Sequence, residues 1–161
     1  MSFLLASEIF SNGETHYFDY ACRTFDMLLE KEIFLSDIIN INEDIKLEVL
    51  RQFLEYFSFE KDRQTEDIER LVLKEFEKIP FTMDAARLCF HLPSKYLSPK
   101  NKGLMHAYIY YMDIQDILTD YGRKQTDNSK YTSVALTFDD GPSGMNAVNV
   151  MRSLRKYGAG G

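Results

Sequence analysis

Residues Asn42 to Phe59, NEDIKLEVLRQFLEYFSF, restrict the fold more than any other stretch, because their apolar side chains fall on two adjoining helical stripes. Leu47, Leu50, Leu54 and Phe57 make one row, and Ile45, Val49, Phe53 and Tyr56 make the next. Asn42 suits the N-cap, and Glu43 and Asp44 the first turn, where unpaired backbone N–H groups and the helix dipole favour negative charge. A helix apolar over so wide an arc needs cover on more than one side. The remaining chain is therefore expected to wrap around it, with Leu50 and Phe53 fully buried.

Upstream, Phe3 to Phe10 and His16 to Phe18 flank Ser11-Asn12-Gly13-Glu14. Asn-Gly between two such runs predicts a β-hairpin, since both central residues of a type I′ turn need positive φ. Tyr20 to Glu30 carries Cys22, Phe25, Leu28 and Leu29 at helical spacing and reads as a short helix, and Ile38, Ile39 and Ile41 read as a short buried strand. Downstream, Thr65 is placed to cap a helix with Ile68, Leu71, Val72 and Phe76 on one face and Glu66 and Arg70 at i,i+4. Pro80 ends it, Thr82 is placed to cap a core helix from Met83 to His91, and Pro93 kinks or stops that one.

Ser98-Pro99 can start another helix, which from Leu104 to Leu118 reads LMHAYIYYMDIQDIL; its Tyr and Met content points to a face that another chain could cover as readily as to the domain's own core. Gly122 to Lys130 reads as a polar linker and Thr132 to Phe138 as an alternating strand that stops at Asp139-Asp140-Gly141-Pro142. Ser143 then caps a last helix with Val148, Met151 and Leu154 on one face and Gly158 as its stop. The expectation is an α+β domain over residues 1–121, with 122–161 as an extension.

The 161 residues are 45% hydrophobic, with 12 Phe, 10 Tyr and no Trp, too apolar for a disordered chain. A formal net charge of −6 argues against a phosphate backbone or an anionic membrane as a general partner. Cys22 and Cys89 show no metal or redox spacing and read as reduced core thiols, which fits the cytoplasm or nucleus. Phe3 to Ala6 is too short for a signal-peptide core, and no run approaches the ~20 apolar residues of a membrane span.

The order of these elements resembles the cullin-adaptor branch of the BTB/POZ fold, the elongin C and Skp adaptors. Phe10-Ser11-Asn12-Gly13-Glu14 resembles that family's Ser-Asp-Gly turn, and Val49 to Phe59 resembles elongin C's helix ending in Tyr-Phe. Ile79-Pro80-Phe81 is similar to its Pro-Phe approach to a core helix, and Ala85 to Leu97 to the Leu-rich helix closing on Asn-Tyr-Leu, here Lys95-Tyr96-Leu97. Lys102-Gly103-Leu104-Met105 and the run to Leu118 resemble the Lys-Gly-Leu-Leu and long helix of the Skp branch. Thr65 to Lys78 is additional to the family, and Pro93, Lys95 and Ser98 to Asn101 differ where the family meets its cullin.

This resemblance implies a BTB/POZ-like small sheet with a hairpin packed on a helical core, and a C-terminal helical extension. It implies a non-catalytic adaptor that joins a cullin-type scaffold to an F-box- or BC-box-type substrate receptor in a ubiquitin ligase. The receptor would be held by Leu104, Tyr108, Tyr111, Met112, Ile114, Val148 and Met151, and the cullin by Phe57, Phe59 and Tyr96. The alternative is a BTB-type scaffold or oligomerisation module that self-associates and has no ligase role.

Thr137-Phe138-Asp139-Asp140-Gly141-Pro142-Ser143 resembles the first motif of polysaccharide deacetylases, in which one Asp is a base and the next a metal ligand. That chemistry needs a His-x-x-x-His pair, whereas His16, His91 and His106 are widely spaced and precede the motif, so the string reads as a strand-to-helix turn. Gly103, Gly122 and Gly141 form no phosphate-binding pattern, and nothing before Gly160-Gly161 has the pattern of a ubiquitin-like modifier. No catalytic residue, cofactor or metal site is expected.

Overall fold

The hairpin forms where Asn-Gly predicts it. Strand β1 (Ser2–Ser11) pairs antiparallel with β2 (Glu14–Asp26), the pairing running up to Ser11 and Glu14, and a register shift follows Ile9. The computed structural model describes residues 1–11, 14–56, 58, 65–97, 103–127, 148–150, 152 and 156, and of 6–11 and 14–19 the backbone only. Beyond Tyr20 the chain stays extended instead of turning helical: Cys22, Thr24 and Asp26 are buried and alternate with exposed Ala21 and Arg23, a period of two. A short β3 (Lys31–Glu32) completes the sheet in the order β1-β2-β3.

The stretch expected as the strand Ile38 to Ile41 is instead the end of a single turn, α1 (Leu35–Ile38), followed by one bridge between Ile39 and Leu118. Helix α2 (Glu43–Glu55) lies where its pattern places it, with Asn42 Oδ1 accepting from the Ile45 N–H at 3.0 Å. Only one of its two stripes is core: Ile45, Val49 and Phe53 are buried, while Leu50 and Leu54 are half-buried and Leu47 is exposed. Full burial of Leu50 is thus corrected, because α2 is covered on one side and its second row lies at the rim of that cover. Helix α3 (Glu66–Lys74) turns Ile68 and Val72 inward, as expected. Its Arg70 binds Asp67 at 3.2 Å and Glu75 at 2.6 Å instead of Glu66, surface pairs that water and salt screen.

Two expected helices are strands. Residues 83–91 fold as β4 (Phe81–Met83) and the start of β5 (Arg87–Pro93), and 104–118 as β6 (Leu104–Tyr110), a 3-10 turn at Tyr111–Asp113 and irregular chain. The three strands form an antiparallel sheet in the order β4-β5-β6. Leu88, Phe90 and Leu92 alternate with Cys89 and His91, and Met105, Ala107 and Ile109 with His106 and Tyr108, so each strand has one buried apolar face. Asp84 closes the β4–β5 turn by accepting from the Ala86 and Arg87 N–H groups at 2.8 and 2.9 Å. These strands replace two of the helices on which the BTB/POZ likeness drew; what the structure shows is a mixed α and β fold.

The apolar face of this sheet meets α2 and α3 in one core, where the Phe76 and Phe90 rings lie 5.2 Å apart. The outer edge of β4 is met by side chains of the first sheet. The Phe81 carbonyl accepts from Cys22 Sγ at 3.0 Å and Thr24 Oγ1 at 3.1 Å, and the Met83 N–H donates to Ser2 Oγ at 2.8 Å. Gly122, expected to open a linker, lies within α4 (Asp120–Thr126), whose cap Thr119 accepts from the Gly122 N–H.

One compact unit spans Met1–Asn128 and a second Ser129–Gly161. In the second, 148–150, 152 and 156 are helical, within the span expected for the last helix; the Thr132 to Phe138 strand, the Asp139-Asp140-Gly141-Pro142 turn and the Ser143 cap lie outside the described residues. Among the described residues no helix is long and apolar enough to cross a membrane.

Candidate functional site

The residues assigned to a receptor do not share a helical face. Leu104 and Tyr108 are half-buried on β6, Tyr111 and Ile114 belong to the core, and Met112 is 80% exposed. Tyr111 is buried, so its ring is part of the interior rather than a surface offered to a partner, and that burial pushes its hydroxyl above the usual range. Val148 is exposed in the second unit, and the Met151 side chain lies outside the described residues. Of the cullin set, Phe57 and Phe59 lie outside the described residues, and Tyr96 packs half-buried against the core from a 3-10 turn.

An apolar surface does exist, at the turn between β2 and β3. Leu28, read from the sequence as part of a buried helical face, is 94% exposed, and Met27 and Leu29 beside it are 62% and 60% exposed. Asp26 holds this turn. Its Oδ1 accepts from the Leu28 and Leu29 N–H groups at 2.9 and 3.1 Å, and its Oδ2 accepts from the Tyr121 hydroxyl at 2.5 Å and Gln125 Nε2 at 3.1 Å. Glu30, at φ +52°, supplies the left-handed residue that returns the chain to β3. Three large apolar side chains are thus held in solvent by a carboxylate anchored to α4.

The Tyr121 hydroxyl first, then the Leu29 and Leu28 N–H groups and the nearby Lys31, hold the Asp26 carboxyl below the usual carboxylate range. A depressed carboxyl contributes stability above its unfolded-state pKa of about 3.9 and loses it as pH falls through the folded value. Asp26→Asn is therefore expected to be less stable than the parent near pH 7 and by a smaller margin at acid pH, read from urea unfolding at each pH. A gap of the same size at both would remove the carboxylate from the account.

A second constellation sits on the polar face of the β4-β5-β6 sheet. Cys89 and His91 are two residues apart on β5, and His106 faces His91 across the β5–β6 pair. The two Nδ1 atoms are 2.9 Å apart, and Cys89 Sγ lies 3.8 Å from that of His91 and 3.9 Å from that of His106. His91 Nε2 is 2.9 Å from Thr82 Oγ1 on β4. Burial, with the neighbouring His106 adding to it, lowers His91 to about 4, and burial also lowers His106 and raises the Cys89 thiol. All three groups are uncharged near neutral pH.

Helix α2 fixes the outer strand of this face. Gln52 accepts from the Tyr108 N–H at 2.7 Å and donates to the Tyr108 carbonyl at 2.9 Å, and the Tyr56 hydroxyl accepts from the His106 N–H at 3.0 Å. An open edge of β6 is thereby paired by side chains, and His106 is held in register. Gln52, Glu55, Tyr56, His106 and Tyr108 line a shallow groove here, with the Arg87 guanidinium 4.2 Å from the Tyr108 ring centre. The sequence signal for the cluster was Cys89-x-His91 inside an alternating run, and reading that run as a helix hid it.

No protein-family model matches the chain, and no curated protein matches it.

Proposed function

We propose that the protein is a non-catalytic interaction module, and within that class an adaptor that joins a cullin-type scaffold to a helical substrate-receptor box protein. The observation that carries the reading is the Met27-Leu28-Leu29 turn, three consecutive large apolar side chains kept in solvent by the Asp26 network. Exposed apolar groups held in a fixed geometry pay little ordering entropy on binding and are what interface cores concentrate. The ligase assignment rests on the Asn-Gly hairpin, α2 and the Ile79-Pro80-Phe81 stretch, whose order resembles the Skp and elongin C adaptors. With 104–110 a strand, this reading takes the turn, rather than the run Leu104 to Leu118, as the partner surface.

The test is purification of the tagged protein with identification of the chains that accompany it. A cullin-type scaffold with an F-box- or BC-box-type receptor is expected with the parent protein and absent with Leu28→Asp/Leu29→Asp, whose exposed positions leave thermal unfolding unchanged within a few degrees. Self-association alone would favour the oligomerisation module. Recovery of the same partners by the double variant would show that the turn is not their site.

A further inference from the structure

We propose that Cys89, His91 and His106 form a binding site for a divalent transition-metal ion, and that the ion is zinc. The thiol sulfur and the two Nδ1 atoms converge on one point from a single sheet face, drawn there by strand register: i and i+2 on β5, and the residue opposite on β6. A triangle with sides of 2.9, 3.8 and 3.9 Å has a circumradius of about 2.1 Å, so an ion at or just above its plane meets all three donors at zinc–nitrogen and zinc–sulfur distances of about 2.0–2.3 Å. The imidazole nitrogens need to part by only a few tenths of an ångström once no proton lies between them.

One soft thiolate and two borderline imidazoles are donors of the kind zinc takes, and three protein ligands leave a fourth tetrahedral position for water or a small ligand. Binding displaces the Cys89 thiol proton to solvent, and both imidazoles serve as Nε2–H tautomers. Thr82 Oγ1 is already within hydrogen-bond distance of His91 Nε2 and can accept from it, the outer-shell partner that orients a ligating imidazole. The half-buried His106 lines the groove beside Tyr56 and Tyr108, which gives the ion a way in. The Gln52 and Tyr56 bonds to β6 hold the donors in place beforehand.

The experiment titrates chelator-treated protein with Co2+ as a spectroscopic stand-in, then displaces it with Zn2+. One equivalent of Co2+ is expected to give visible bands of tetrahedral intensity and a near-ultraviolet thiolate-to-cobalt band, both bleached by one equivalent of Zn2+. Cys89→Ser should lose the near-ultraviolet band, Cys22→Ser should keep it, and Thr82→Val should keep the spectrum while binding zinc about 10–100-fold more weakly. Zinc should raise the thermal midpoint of the parent protein but not of His106→Gln, a half-buried position where loss of fold is least expected. Absence of the thiolate band from the parent, or its survival in Cys89→Ser, would overturn the proposal. A zinc-dependent midpoint that persists in His106→Gln would do the same.

Discussion

Phe53→Ala is expected to lower the free energy of unfolding by about 3–5 kcal/mol. Phe53 has no exposed surface and lies on the one α2 row, with Ile45 and Val49, that faces both α3 and the second sheet. Truncation removes the transfer free energy of the ring and leaves a cavity bounded by elements that cannot all close on it, since β6 is tied to α2 by Gln52 and Tyr56. Against a typical total of about 5–15 kcal/mol, that loss is a large share of the stability of the fold. Leu47→Ala is the control: at 55% exposure it should change stability by no more than about 0.5 kcal/mol. Urea unfolding measures both, and equal losses at the two positions would mean that α2 does not present the Phe53 row to the core.

Gly122→Ala should be nearly as costly, for a reason that apolar burial does not supply. A Cβ at this position would stand 2.1 Å from the Ile38 carbonyl oxygen, and the atom in its way is backbone that cannot rotate aside. That same oxygen already accepts from the Thr119 N–H at 2.9 Å, and the Asn40 N–H donates to the Ile117 carbonyl at 2.8 Å, so α1 and the start of α4 are locked face to face. Alanine would gain roughly 1 kcal/mol in helix propensity over glycine, against an overpacking cost on the order of 3 kcal/mol or more. The net expectation is a loss of about 2 kcal/mol or more, accompanied by faster amide exchange at Thr119 and Asn40. A stabilised variant would place α4 away from α1.

Where local chemistry chooses a conformation, the sequence was sufficient. Asn12-Gly13 between strand-forming runs placed the hairpin, and Asn42, Glu43 and Asp44 ahead of a long apolar period placed α2; α3 follows from the Ile68 and Val72 spacing alone, since Thr65 stands at its N-cap position without a side-chain capping bond. Short apolar runs were not sufficient, because they satisfy both periods. Ala85, Leu88 and Leu92 are spaced as on a helix, and Leu88, Phe90 and Leu92 as on a strand; Tyr108, Tyr111 and Ile114 with Met105, Ala107 and Ile109 repeat the ambiguity. For Leu28 and Leu29 a helical pattern promised burial, and the Asp26 network put them in water.

The Cys89, His91 and His106 cluster shows the division most plainly. The sequence by itself determined that a thiol and an imidazole stand two residues apart and that a second imidazole lies further along the chain. On a helix, two residues span roughly 200°, which sends the first pair to opposite sides; on a strand they share a face. Only the antiparallel register of β5 and β6, held from outside by Gln52 and Tyr56 of α2, decided that His106 would stand opposite His91. Strand pairing is a contact between distant segments, and its free energy comes from the shared apolar core beneath the sheet rather than from the preferences of the residues that end up on its polar face.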